Sequence, residues 1–287
     1  MKASIRPVAV VTDSAASIPR SLVEAYGIEV VPYQLIWDGQ SYLDGIDMSP
    51  TEFYRRFRTS VTRPSTTVPT AGQFVEAYRS LGAWASGIVG VFVSQGLTSV
   101  VQVATLAAQE APVPVRVVDS RAAAMAEGFV ALHASRVAHR GGTLEEVAAA
   151  AEECRGRAGL LAAFQTLEHL IRGGRAGRVA RAVSNRIRLE PVITIADGTL
   201  APVAVTRSHS RSAERMVAAL RRIVGERRVR ASVLHADLPE DAAGLAEQVR
   251  SGFNCVEFFI SELTPVMGAH TGPALLGIAY CLEEEAA

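Results

Sequence analysis

Residues able to do chemistry gather in three short stretches: Val93-Ser94-Gln95-Gly96-Leu97-Thr98, Thr66-Thr67-Val68-Pro69-Thr70, and Gly268-Ala269-His270-Thr271-Gly272-Pro273. The first follows an apolar β-branched run, Gly87 to Val93, and leads into residues with helical spacing, Leu97, Val100, Val101 and Ala104. That pattern reads as a buried strand turning into a helix. Such a turn sets free backbone N–H groups and the positive end of a helix dipole beside the Ser94 hydroxyl, a setting for an anion. The Thr62 to Thr70 segment carries two prolines and is rich in hydroxyls, which excludes a helix and predicts a polar lip. His270 is expected in a rigid turn between Gly268 and Pro273, where backbone approaches a ligand closely and an imidazole can donate to a carboxylate.

Two chemistries compete for these groups. Ser94 with His270 as base, and Asp13 or Asp119 to orient it, would make a serine hydrolase. Against it, Phe92 stands two residues before Ser94, where a nucleophile elbow needs glycine to relieve crowding. The other chemistry is binding alone. Nucleotide motifs are missing: no G-x-x-x-x-G-K-[ST] occurs, nor a G-x-G-x-x-G between strand and helix. His235-x-Asp237 is a weak metal signal, better read as strand-end residues bonding backbone, so neither metal nor cofactor is expected.

Several elements must position these residues. Pro7 to Thr12 and Val113 to Val118 read as parallel strands, each ending in Asp-Ser (Asp13-Ser14, Asp119-Ser120). Ligands of open α/β sheets sit at that strand edge. Asp38-Gly39 and Asp197-Gly198 predict hairpins. Helices are predicted from Ser49 to Arg58, Ala71 to Leu81, Ala122 to His139, Ser210 to Val224 and Pro239 to Arg250, with Thr143-x-x-Glu146 a capping box. Ala274 to Tyr280 suits a central strand. The fold class is therefore α/β in two domains, a mostly parallel sheet with flanking helices over 1–157 and a mixed-sheet α/β domain over 158–287.

Composition narrows the partners. The 287 residues hold 29 Lys plus Arg against 29 Asp plus Glu, so no basic excess points to nucleic acid. Apolar residues at 49% fit a globular core. Cys154, Cys255 and Cys281 lack metal spacing and, with no signal-peptide pattern, favour a reducing cytoplasm. No uncharged apolar run reaches membrane-spanning length.

In register along nearly the whole chain, the sequence resembles the DegV family of fatty-acid-binding proteins. The resemblance rests on Val11-Thr12-Asp13-Ser14, Asp44-Gly45, Thr66 to Phe74, Val93 to Thr98, Val118-Asp119-Ser120, Leu167 to Arg175, Pro191 to Arg207, His235-Ala236-Asp237 and Gly268 to Pro273. It implies a two-domain protein that holds a long-chain fatty acid between and within its domains. As a non-catalytic carrier it presents the carboxylate to the catalytic subunit of a fatty acid kinase. It implies a carboxylate site on Thr66, the Ser94-Gln95 pair and His270, with Thr67, Gly96 and Thr271 beside them. This chain departs from the pattern in having Gln95 for a second serine and Thr67 for serine. Arg175 and Arg207 are expected as exposed contacts for the kinase.

Overall fold

The computed structural model describes residues 7–176, 179 and 189–284. Most of the basic stretch between Arg175 and Arg188 therefore lies outside the described residues. Strands β1 (Val8–Asp13), β2 (Glu29–Val31), β6 (Gly87–Phe92) and β7 (Val115–Asp119) form a parallel sheet in the order β2-β1-β6-β7. Both β1 and β6 are buried along their full length, as continuous apolar runs demand in a sheet covered on both faces. A small antiparallel sheet, β4-β3-β5, is made of β3 (Gln34–Trp37), β4 (Gln40–Leu43) and β5 (Ser65–Thr67).

The second domain is a six-stranded mixed sheet. Its strands are β8 (Ala158–Phe164), β9 (Glu190–Ala196), β10 (Thr199–Thr206), β11 (Val229–Ala236), β12 (Cys255–Glu262) and β13 (Leu275–Leu282), ordered β10-β9-β8-β13-β11-β12. β13 is central, as its unbroken apolar character predicts. Both Asp-Gly pairs form hairpins with positive φ at each turn residue, Asp38 at 52° and Gly39 at 76°, Asp197 at 49° and Gly198 at 76°. Those are the dihedral signs of a type I′ turn, whose twist matches the strands it joins.

Helices α1 (Arg20–Ala25), α2 (Pro50–Thr59), α3 (Ala71–Gly82), α4 (Val100–Ala107), α5 (Met125–His139), α6 (Leu144–Arg155) and α7 (Glu168–Arg172) precede α8 (His209–Val224), α9 (Pro239–Gly252) and α10 (Pro265–Thr271). α5 lies between the two sheets, packing on β1 and β6 on one side and on β8 and β13 on the other. Its alanines permit that double contact, and 11 of its 15 residues are buried. It starts three residues later than its composition predicts. Ala122 is held out of the helix because its carbonyl accepts Ser94 N at 2.9 Å and its N–H donates to Ser120 Oγ at 3.1 Å. Among the described residues, no helix is long and apolar enough to cross a membrane.

Two further expectations are corrected. The segment around His270 is helix α10 instead of a turn. Its first N–H is satisfied from far along the chain: the buried Asp44 Oδ1 accepts Val266 N at 2.9 Å. And α4 begins at Val100, so its dipole does not start beside Ser94. A turn intervenes, closed by Leu97 N on the Ser94 carbonyl at 2.9 Å.

Candidate functional site

Between the two sheets lies a cavity in which about 120 Å³ is open to the centre of a water-sized sphere. Its wall is apolar almost throughout, with Leu160, Phe164 and Leu275 from the second domain facing Val93, Ala123 and Ala124 from the first. The polar exceptions include Thr66, His270, Arg175, Tyr33 and Thr98.

Thr66 is central in β5, which pairs with β3 in a register that sets it opposite Leu35. Side chains alternate along a strand, so Thr66 turns inward and Thr67 outward. Thr67 is exposed and its hydroxyl lies 3.4 Å from Gln34 Oε1, outside the cavity lining. Thr66 Oγ1 meets His270 Nε2 at 2.7 Å. Burial, and then the charge of Arg175, push the His270 imidazole down to about 4, so it is neutral at physiological pH. One hydrogen is shared between Thr66 and His270, which leaves one further N–H or O–H of the pair free to donate.

Glycines in the neighbouring motifs are there for close approach. A Cβ on Gly173 would lie 3.0 Å from His270 Nδ1, and one on Gly268 would lie 2.5 Å from Phe53 Cε1. Gly268 thus lets α10 settle against α2, and Gly173 lets α7 end against the imidazole. Thr271 reaches the cavity, but its hydroxyl lies 3.1 Å from the Met267 carbonyl of its own helix.

Ser94 sits differently from the expectation. It is fully buried, its Oγ donates to the Gly198 carbonyl at 2.7 Å and accepts Gly96 N at 3.2 Å, and it is outside the cavity lining. Gln95 is exposed, with its N–H on Asp119 Oδ1 at 3.3 Å, and Gly96 is packed against Gly198. Ser94 and His270 share no hydrogen bond, so the nucleophile–base contact of a serine hydrolase is not formed. Asp13 accepts Ala15 N at 2.9 Å and Val93 N at 3.0 Å, work that fixes the strand ends and does not orient a base.

Arg175 is half buried and lines the cavity, its Nη1 on the Gly173 carbonyl at 2.5 Å, which corrects the expectation of an exposed loop residue. Arg207 is exposed at the end of β10 and makes no hydrogen bond or ion pair among the described residues. Asp237 is held by the Arg58 side chain of α2, Nε to Oδ2 at 2.5 Å, and not by backbone as expected, while the buried His235 Nδ1 has no hydrogen-bond partner among the described residues. Among the described residues, no group of three or more His, Cys, Asp or Glu could hold a metal ion.

Residues 7–283 match the model of DegV, a family of uncharacterised proteins. The chain belongs to the DegV family. A DegV domain-containing protein of Streptomyces coelicolor is 36% identical over 278 residues, which cover 95% of this chain and 98% of that protein. A DegV family protein from Thermus thermophilus, solved as a study of its fatty acid binding, is 32% identical with a TM-score of 0.91. That match covers 96% of this chain and all, 100%, of the other. DegV of Bacillus subtilis, a fatty acid binding protein, is 26% identical with a TM-score of 0.90, over 97% of this chain and 100% of the other. The two-domain α/β architecture is that of these DegV structures.

Sequence reasoning passed over Tyr33 as a cavity residue and read Thr98 only as part of a motif. In this DegV chain Tyr33 Oη and Thr98 Oγ1 lie 3.3 Å apart on the cavity wall. Tyr33 could have been noticed as a lone phenol at the end of the apolar Ile28 to Pro32 strand.

Proposed function

We propose that this chain is a non-catalytic carrier that binds a long-chain fatty acid between and within its two domains. The observation that carries the reading is the neutral Thr66–His270 pair with Arg175 at an otherwise apolar cavity. A carboxylate takes charge-assisted hydrogen bonds from such donors, each contributing roughly 1.5–3 kcal/mol. The acyl chain leaves water for the apolar wall at about 0.8 kcal/mol per buried methylene. Affinity then comes chiefly from the tail and register from the head. The fatty acid binding of the Thermus thermophilus and Bacillus subtilis relatives supports the same assignment.

In this proposal Thr66 and His270 contact the carboxylate, Arg175 supplies positive charge, and Ser94, Gln95 and Gly96 shape the turn beside it. Thr271 holds the backbone of α10 beside them, and Thr67 meets the Gln34 side chain on the outer face of β5. The division between domains is placed at 157/158. A fatty acid kinase catalytic subunit is the proposed partner: a carboxylate oxygen attacks the terminal phosphorus of ATP, giving acyl phosphate and ADP. Arg207 is the proposed docking contact.

Native mass spectrometry of protein purified from a heterologous host tests the binding, and a bound mass of a long-chain fatty acid is expected. An unliganded mass with no uptake of added palmitate or oleate would overturn it. For the partner, Arg207→Ala is expected to leave palmitate uptake intact and slow acyl-phosphate formation by added kinase and ATP. An unchanged rate removes Arg207 from the docking surface.

A further inference from the structure

We infer that Cys154 and Cys281 are a redox couple that closes to a disulfide and fastens the two ends of the second domain together. The couple lies apart from the cavity lining and owes nothing to its ligand.

Cys154 lies in the last turn of α6, and Cys281 is the penultimate residue of β13, 127 positions later. Just after Cys154 the chain enters β8, builds the second sheet and returns beside its start, because β13 pairs with β8 and sets Cys281 opposite Ala158. The two sulfur atoms stand 3.4 Å apart, and both side chains are buried. A disulfide holds its sulfurs about 2.05 Å apart, so closure asks the two side chains to share a movement of roughly 1.4 Å. Their other contacts are longer: Cys154 Sγ lies 3.7 Å from the Phe129 carbonyl and Cys281 Sγ 3.7 Å from the Leu282 carbonyl.

The surroundings decide which sulfur attacks. The hydrogen bond from Cys154, helped by the charges of Arg157 and Arg230, holds the Cys281 thiol below its usual range against the cost of burial. The same bond, and then burial, push Cys154 well up, so it keeps its proton. Arg230 sits opposite Cys281 in the β11–β13 register, and Arg157 Nη1 donates to the Leu282 carbonyl at 3.3 Å. Cys281 is thus the nucleophile and Cys154 the resolving thiol. β13 ends one residue beyond Cys281 and Glu284 is exposed, so a brief parting of this chain end admits a small oxidant such as hydrogen peroxide.

The Cys281 thiolate attacks one peroxide oxygen, the O–O bond breaks and hydroxide leaves, giving a sulfenic acid. The Cys154 sulfur then attacks the Cys281 sulfur, the S–O bond breaks, and the departing hydroxide carries off the Cys154 proton as water. Two electrons pass from the sulfurs to peroxide, and one S–S bond forms. A dithiol reductant reverses the step by exchange. Closing so long a loop removes many conformations from the unfolded chain, so the oxidised form resists unfolding. Cys255 supplies a control: it is half-buried at the start of β12, with its Sγ 3.7 Å from the Val249 carbonyl and no thiol beside it among the described residues.

The test treats the reduced full chain with hydrogen peroxide, then denatures and alkylates it for mass spectrometry. One of the three thiols is expected to react with the alkylating agent, and peptide mapping is expected to show Cys154 linked to Cys281. The melting temperature is expected to rise by about 5–10 °C and to fall back with dithiothreitol. Cys255→Ala is expected to keep both the link and the rise, and Cys281→Ala to lose both. Three alkylated thiols in the treated wild type would overturn the inference, as would a link through Cys255 or a sulfinic acid at Cys281. A Cys154–Cys281 link that leaves the melting temperature unchanged would overturn the fastening.

Discussion

The Ser94 hydroxyl donates to the Gly198 carbonyl oxygen at 2.7 Å, joining the turn after β6 to the tip of the β9–β10 hairpin across the two domains. The space between them is tight: a Cβ on Gly198 would lie 2.6 Å from Ser94 Oγ. A serine placed like a nucleophile therefore acts as an interdomain latch, and its proton is already given away.

Ser94→Ala should cost about 1–3 kcal/mol, because it strands the buried Gly198 carbonyl. Urea unfolding measures the loss. A fluorophosphonate probe should leave wild-type Ser94 unlabelled, and labelling there would return the hydrolase reading.

Thr66→Val should weaken palmitate about 10-fold by removing one donor to the carboxylate. Thr67→Val, one residue along the strand and facing out, should not change it. Equal effects at the two positions would mean that β5 is read in the wrong register.

Gly268→Ala should destabilise by about 1–3 kcal/mol through overpacking, since its Cβ meets Phe53 Cε1 and lies 2.8 Å from Tyr54 Oη. Because α10 must shift away from α2, palmitate affinity should fall with it. Thermal melting and calorimetry read the two effects separately.

Stability should fall as pH rises above about 6.5. Asp13 and Glu127 face one another in the core, and burial pushes Asp13 up to about 7 and Glu127 well above the usual range. An acid whose pKa rises on folding stabilises the native state at low pH, and that contribution is lost as pH climbs through the native value. His133 and His270, both pushed down by burial to about 4, act in the opposite sense. Their effect is complete once the unfolded chain's histidines are neutral, above about pH 6.5. Glu127→Gln should gain stability relative to wild type as pH rises above about 6.5 in urea titrations. A difference independent of pH would contradict this.

Local chemistry made much of the fold legible. Asp38-Gly39 and Asp197-Gly198 announce type I′ hairpins because two adjacent residues carry the whole requirement for positive φ. Thr143 and Glu146 announce a capping box because three residues complete it, and the structure shows both bonds. Apolar runs placed β1, β6 and β13 because burial on both faces leaves no room for alternation. The site was legible only as types: a threonine, a histidine and a hydroxyl-bearing turn.

What those types do was decided in three dimensions. Sequence alone determined the α/β class, the two sheets and the Thr66, Ser94 and His270 stretches. The tertiary structure decided that Ser94 spends its hydrogen on a carbonyl 104 residues away, while Thr98 meets a phenol 65 residues away. It also decided that His270 rides on a helix, because Asp44, 222 residues upstream of Val266, caps α10. The physical reason is the same in each case. A hydroxyl or carboxylate can bond to any donor or acceptor within about 3 Å, and only packing selects which one arrives.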